Sequence, residues 1–277
     1  MARTPDGPPP PPTVQRLRVH YAKRGRLRFS SHRDFQRAFE RALRRSAVPM
    51  AYSAGFSPHP KVSYAGAAPT GIASEAEYLE IGLAERCDPE RLRAELDAAL
   101  PDGLDVLEIV ETPPPPPNVK ADSLADLLEA SVWEVRLSGV DRAAAERAVE
   151  SFLAADRAEV SRMTKNGLRT FDARAAVVRV TVGSDQPEAG PDEQDAAVSG
   201  GGAAGSKEPR CAILQVVVRH VTPAVRPDDV LAGLASIGAL TPPTTPAVTR
   251  LAQGPLDESA GTVSDPLAPD RDAAGAR

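Results

Sequence analysis

The sequence has few cysteines and few aromatic residues, and it contains no long apolar run. Its two cysteines, Cys87 and Cys211, are far apart, and no CxxC or CxxxCxxC pattern occurs. This excludes a self-contained zinc-finger or iron–sulfur site. No apolar run approaches the roughly 20 residues that a membrane-spanning helix needs, and the N-terminus lacks the apolar core of a signal peptide. We therefore expect a cytoplasmic protein with reduced thiols, no metal and no other cofactor.

The sequence also lacks the familiar motifs of nucleotide-binding and hydrolytic sites. It has no GxxxxGK[ST] loop, no GxGxxG after a predicted strand, no HExxH and no GxSxG. Its four histidines and two cysteines are not spaced as metal ligands. These absences exclude the common nucleotide-binding loops, the zinc proteases of the HExxH type and the α/β-hydrolases.

What the sequence does contain is a strongly basic segment within an acidic chain. Between Val14 and Lys61 there are twelve lysines and arginines but only two acids, Asp34 and Glu40, whereas the whole chain has a net charge of −5. A local excess of positive charge favours a phosphate-bearing or otherwise anionic partner. The alternative is a solvated basic face that binds nothing.

Composition predicts five regions along the chain. Proline-rich stretches cannot continue helices or central strands, and segments rich in Gly, Ala and acids have little to bury. The predicted regions are a disordered leader (1–13), a basic first domain (14–112), a proline-rich linker (113–128), a second domain (129–253) with a flexible acidic insertion (184–209), and a disordered tail (254–277).

Apolar periodicity predicts the element order β-α-β-β-α-β in the first domain. An alternation of apolar and polar residues begins at Leu17 and indicates a strand. Ser31, with Asp34 three residues later, predicts the cap of a helix that has one apolar face and arginines on the other. The second domain shows the same order, with a hairpin at Asn166-Gly167 and a final edge strand at 249–251. The predicted fold class is α+β, with two tandem ferredoxin-like domains.

Three loops concentrate residues that suit anion binding. The first leads into the arginine-bearing helix, whose N-terminus attracts negative charge. The second interleaves aromatic and cationic residues and holds His59 between two prolines, an arrangement that suits base stacking and phosphate contact. The third precedes a later helix. In each case a purely structural loop is the alternative. The predicted binding residues are Arg26, Arg28, Ser30, Ser31, His32, Arg33, Arg37, Tyr52, Phe56, His59, Lys61, Arg219, His220 and Arg226.

Three pieces of the sequence resemble a bacterial radical SAM-linked protein family, a domain of unknown function. They are R-F-S-S-H-R-D at Arg28–Asp34, Y-S-A-G-F-S-P-H-P-K at Tyr52–Lys61 and P-T-G-I-A-S-E-A-E-Y-L at Pro69–Leu79. The resemblance implies a radical SAM protein as partner, because members of that family are fused to one or encoded beside one. It implies no reaction, and this chain lacks the three-cysteine motif of a radical SAM enzyme.

The sequence leaves three hypotheses about function. The first is an accessory protein that binds RNA, or another anionic substrate, through its basic N-terminal face and presents it to a radical SAM enzyme. The second is a metal-independent, endoribonuclease-like enzyme, with His32, His59 and Lys61 as candidate catalytic residues. The third is a protein–protein adaptor that binds no nucleic acid. Neither the reaction nor the ligand follows from the sequence.

Overall fold

The alternation that begins at Leu17 forms a strand. The computed structural model describes residues 10–113, 123–164, 167–183 and 211–275. These residues fold as two units, one formed by residues up to Val132 together with those from Thr249 onward, and the other by Trp133–Val248. The fold class is α+β, as the sequence predicted.

The first unit opens with four strands and two helices in the predicted order. Neighbouring strands are antiparallel, and their order across the sheet is β4-β1-β3-β2. The elements are β1 (Gln15–Lys23), α1 (His32–Arg45), β2 (Val62–Ala65), β3 (Ala73–Leu83), α2 (Pro89–Ala99) and β4 (Leu104–Glu111). A short 3-10 turn, Gly25–Phe29, leads from β1 toward α1.

One face of this sheet packs against α1 and α2. The inward residues of β1, β3 and β4 join the apolar stripes of both helices in a single buried cluster. In α1 the stripe consists of Phe35, Phe39, Ala42 and Leu43, all buried. The predicted cap is also present, because Ser31 Oγ accepts a hydrogen bond from the backbone N–H of Asp34 and the Asp34 carboxylate accepts one from the backbone N–H of Ser31. The cap and the stripe together fix which residues of α1 face outward.

The chain then passes through a short helix and forms the second unit. The short helix is α3 (Leu124–Leu127), which still belongs to the first unit. The elements that follow it are β5 (Ala130–Ser138), α4 (Arg142–Ala154), β6 (Glu159–Thr164), β7 (Gly167–Asp172), β8 (Val177–Gly183), β9 (Cys211–Arg219) and α5 (Pro227–Gly238). In this unit β9 lies between β5 and β8. The predicted hairpin is present as β6 and β7, which pair only with each other among the described strands; Asn166 lies outside the described residues.

The C-terminal segment returns to the first unit. There, β10 (Ala247–Gly254) pairs in parallel with the start of β3, and is followed by β11 (Leu256–Asp257), β12 (Thr262–Val263) and α6 (Ala268–Gly275). Leu267 is fully buried and packs with α3 and Tyr78 on the face of the sheet opposite to α1. The buried Arg18 donates to the Asp270 carboxylate at 2.7 Å.

These contacts correct two predictions. Residues 254–275 are folded, although their Gly, Pro and acid content predicted a disordered tail, because a few buried groups are enough to anchor a polar segment. Strand 249–251 pairs with β3 of the first unit, and so it is not simply the last edge of the second domain. The predicted insertion (184–209) and most of the predicted leader (1–13) lie outside the described residues. Within the predicted linker (113–128), residues 114–122 also lie outside them, but residues 123–128 include α3, with Leu124 and Leu128 buried. Thr13, however, is described and accepts a hydrogen bond from Lys61 Nζ at 2.9 Å.

The pairing of β8 with β9 bears on the acidic insertion that connects them. Gly183 is the register partner of Ile213, so the two ends of the insertion lie side by side. We expect that a short Gly-Ser turn in place of residues 184–209 will preserve the circular dichroism spectrum and shift Tm by less than about 4 °C, which corresponds to about 1 kcal/mol for a chain of this size. A cooperative loss of structure in thermal melts of the shortened protein would contradict this.

Candidate nucleic-acid interface

Helix α1 carries a row of exposed arginines that we call the arginine face: Arg33, Arg37, Arg41 and Arg44. Residues three and four positions apart lie on the same side of a helix, and the buried stripe of Phe35, Phe39 and Leu43 occupies the opposite side. The arrangement follows from the sequence pattern and from the Ser31 cap.

The charges of the arginine face are not compensated locally. Within the described part of the chain, none of its four guanidinium groups forms an ion pair, whereas Arg91 and Arg93 on α2 pair with Glu95 and Glu90 at 2.7 and 2.8 Å. Asp34 is the acid nearest the start of α1, and its carboxylate is engaged by Ser31, whose hydroxyl donates at 2.7 Å. That hydrogen bond is the main cause that lowers the pKa of Asp34 below its ordinary value. The arginine face is therefore a surface of net positive charge.

The second predicted loop lies beside this helix. It is closed at its neck by two hydrogen bonds, from Ser53 N–H to His59 O at 2.9 Å and from His59 N–H to Ser53 Oγ at 3.0 Å. The closure presents two aromatic side chains outward, with Phe56 70% exposed and Tyr52 41% exposed. Large exposed aromatic rings suit stacking against nucleic-acid bases.

A cavity of about 290 Å³ lies between α1 and this loop. Its walls combine apolar side chains with a few polar ones, namely Glu40, Leu43, Arg44, Val48, Met50, Tyr52, Pro58, His59 and Pro60. The structure thus brings Tyr52 and His59 of the predicted loop next to Arg44 of the arginine face.

The first predicted loop was expected to bind an anion at the N-terminus of α1, but side chains of the protein already occupy that position. Arg26 and Arg28 are exposed on the 3-10 turn, with the Arg28 guanidinium 4.7 Å from the centre of the Phe29 ring. Ser31 serves the helix cap, so the Asp34 carboxylate occupies the position at which an external anion would compete. Ser30 is half-buried beside it. This N-terminus is therefore satisfied from within the chain.

The three candidate catalytic residues line three separate cavities. His32 stands edge-on to Tyr64 at 5.1 Å and lines a small pocket with Lys23 and Glu77. His59 lines the cavity beside α1. Lys61 lines a third cavity with Arg16 and Glu80, on the other side of the sheet. General acid–base catalysis needs its groups within reach of one substrate, and this trio does not share a site.

Lys23, Glu77 and Arg250 form a buried charged cluster that was not predicted from the sequence. Lys23 donates to the carbonyls of Ala68 and Pro69 at 3.2 and 3.4 Å, and the carboxylate of Glu77 accepts the backbone N–H of Ala68 at 3.1 Å. Arg250 lies 3.5 Å from that carboxylate. Burial lowers the pKa of Lys23, while the charge of Glu77 opposes this shift. The alternation of apolar and polar residues could have predicted this burial, because Lys23 and Glu77 occupy inward-facing positions of β1 and β3. The cluster holds the loop around Ala68 and Pro69.

The third predicted loop belongs to the second unit. Arg219 is half-buried at the end of β9, and His220 is exposed just after it. Arg226 precedes α5, and its backbone N–H donates to the Asp229 carboxylate at 2.8 Å. Arg162 of β6 also pairs with Asp229. As at α1, a carboxylate of the chain already caps the helix start.

Metal-ligating clusters and spanning helices are not found in the described ranges. No group of three or more His, Cys, Asp or Glu residues there could hold a metal ion. Nor is any helix in those ranges long and apolar enough to cross a membrane. The two thiols, Cys87 and Cys211, are free and half-buried.

Comparison with known proteins finds one family. Residues 16–227 match the model of a family described as "Uncharacterized protein conserved in bacteria (DUF2344)". No curated protein matches the chain. The matched range includes the arginine face, the loop with Tyr52 and His59, and the start of α5 in the second unit.

Proposed function

The chain belongs to that family of bacterial proteins, and from this premise we propose that it binds RNA through the arginine face and the exposed aromatic residues beside it. It then presents the RNA to a partner enzyme. One observation carries the proposal, namely that Arg44 of the arginine face, whose four arginines form no ion pair in the described chain, lines the same cavity as Tyr52. Phe56 of the same loop is exposed. Arginine on a helix face contacts phosphates and exposed aromatic rings stack on unpaired bases, which is the combination used for single-stranded RNA.

We propose that each unit is a ferredoxin-like domain. For the first unit the antiparallel order β4-β1-β3-β2 with two helices on one face supports this. For the second unit the support is its order of elements, into which the β6–β7 hairpin is inserted. Many unrelated functions share such folds, so the function rests on the basic surface and not on the fold.

The partner in this proposal is a radical SAM protein, and the setting is the bacterial cytoplasm. The partner follows from the resemblance of the Arg28–Asp34, Tyr52–Lys61 and Pro69–Leu79 segments to radical SAM-linked proteins, and the cytoplasmic setting is the expectation from the composition of the sequence. The protein itself supplies the RNA-binding surface, and the partner supplies the chemistry.

One incubation tests the proposal against both alternatives. The purified protein is mixed with 5′-labelled single-stranded RNA in EDTA, and the products are run on native and denaturing gels. We expect a shifted complex at low salt, with the RNA intact, that dissociates steeply as salt rises because counterions are released on binding. Cleaved RNA would favour the endoribonuclease hypothesis instead. Absence of any shift would contradict RNA binding and leave the adaptor hypothesis.

His59 provides a separate prediction about the loop. Because the side chain is exposed, His59→Ala should change the free energy of unfolding by less than about 1 kcal/mol, as surface substitutions usually do. It should nevertheless weaken RNA binding, since His59 lines the cavity beside Arg44. Urea titration and fluorescence anisotropy measure the two effects.

The matched control is His20→Ala. The His20 ring stacks on Tyr78 at 4.7 Å, and its Nε2 lies 2.7 Å from the carbonyl of Glu75, on the other side of the sheet from α1. We expect this variant to lose stability and to keep its RNA affinity while folded. If His59→Ala lost stability and kept its RNA affinity, while His20→Ala stayed stable and bound RNA more weakly, the loop with His59 would be structural.

A further inference from the structure

Glu40 is an unusual residue on a helix otherwise rich in arginine. Of the two acids in α1, Asp34 serves the cap, whereas Glu40 is half-buried and lines the cavity beside the loop. In the described part of the chain Glu40 forms no ion pair, although Arg37, Arg41 and Arg44 lie three, one and four positions away. A carboxylate held at a cavity wall and not neutralised by a neighbour is available to accept hydrogen bonds from a ligand.

The other walls of the cavity determine what kind of ligand group enters. Val48, Met50 and the two prolines around His59 are apolar, and they favour a flat, uncharged group over a phosphate. The cavity, at about 290 Å³, is just below the range of volumes for drug-sized ligand pockets, which begins at about 300 Å³. Tyr52 adds an aromatic ring at its edge. The cavity therefore suits one nucleobase, with Arg44 placed for the adjoining phosphate.

We propose that this cavity holds one unpaired guanine of the bound RNA and that Glu40 recognises its Watson–Crick edge. Guanine presents two adjacent donors there, N1–H and the N2 amino group, which match the two oxygens of a carboxylate. Adenine and cytosine each present one amino donor beside an acceptor nitrogen, and uracil presents one N–H between two carbonyl acceptors. In those three bases an acceptor would face the carboxylate. This inference rests on the proposed function and adds the base that the surface selects.

The test uses 10-nucleotide uridine oligomers with one central guanine, adenine or inosine, and measures affinity by fluorescence anisotropy. We expect the guanine oligomer to bind about tenfold more tightly than the adenine oligomer, which is the discrimination of a modest bidentate contact. Inosine lacks the N2 amino group and should fall between them. Glu40→Gln should bring the guanine-to-adenine ratio close to one, because an amide replaces one acceptor by a donor. It should not weaken binding of the adenine oligomer, since a negative charge is lost.

The control is Glu95→Gln on α2, which removes a carboxylate from a different cavity and should leave the tenfold ratio intact. Equal affinity for the guanine and adenine oligomers, with binding still steeply dependent on salt, would overturn this inference and leave the proposed function standing. If Glu40→Gln kept the tenfold preference for guanine over adenine, the inference would likewise be overturned and the proposed function would stand. Failure of every oligomer to bind at low salt would overturn both.

Discussion

The double substitution Arg33→Glu/Arg37→Glu is expected to weaken RNA binding by about 25-fold or more at 0.1 M salt. Each phosphate contact to a single strand contributes about 0.7 to the slope of log affinity against log salt. Loss of two such contacts therefore removes about 1.4 logarithmic units at 0.1 M, and the reversed charges add repulsion. Because both side chains are exposed and unpaired in the described chain, Tm should hardly change. Anisotropy titrations across a salt series measure both the affinity and the slope.

The control carries the same change in net charge on another helix. Arg91→Glu/Arg93→Glu replaces the exposed Arg91 and the half-buried Arg93 of α2, which already pair with acids of the same helix. We expect it to lower RNA affinity only slightly, through the long-range field of the protein. If the two double variants lost affinity equally, binding would depend on overall charge and the arginine face would have no special role.

The largest expected effect on stability comes from Leu267, a residue in the segment that composition predicted to be disordered. Leu267 is fully buried against α3 and Tyr78. Leu267→Ala should therefore lower the free energy of unfolding by about 2 to 5 kcal/mol, through lost apolar burial and the cavity that remains. Urea denaturation, with the shift in midpoint at unchanged slope, measures this loss.

Leu107 provides the same chemical change at an exposed position of the same unit. It lies on β4 and is 37% exposed, so Leu107→Ala should cost much less than Leu267→Ala. If Leu267→Ala unfolded at the wild-type midpoint, the C-terminal segment would contribute nothing to stability, and the prediction of a disordered tail would be restored.

Local signals were enough to predict the elements that lie close together in the sequence. The spacing of Phe35, Phe39 and Leu43 and the pair Ser31 and Asp34 predicted both the rotation and the start of α1. The Asn166-Gly167 turn predicted the hairpin of β6 and β7, since a hairpin depends on a few neighbouring residues. In each case the interactions that decide the structure are local in the chain.

Pairings between distant segments were missed because no local pattern encodes them. The segment after Gly254 contains only scattered apolar residues, and its fold depends on contacts such as Arg18 with Asp270. For the same reason, the sequence predicted only some of the residues that line the candidate site. Strand alternation sends Lys61 to the opposite side of the sheet from Tyr64, so a residue adjacent in sequence to the His59 loop does not join the cavity. Glu40 was counted only as one of two acids in a basic segment.

The return of β10 to the first unit has a consequence for synthesis of the protein on the ribosome. Gln253 of β10 donates to the carbonyl of Ala76, a partner 177 positions earlier in the chain. The sheet of the first unit is therefore incomplete while the whole second unit is being translated, and β3 keeps part of one edge unpaired during that time. Unpaired edges in slowly completed sheets promote aggregation. Nascent chains arrested before residue 249 should thus be protease-sensitive in a region that is protected once the last strand has emerged.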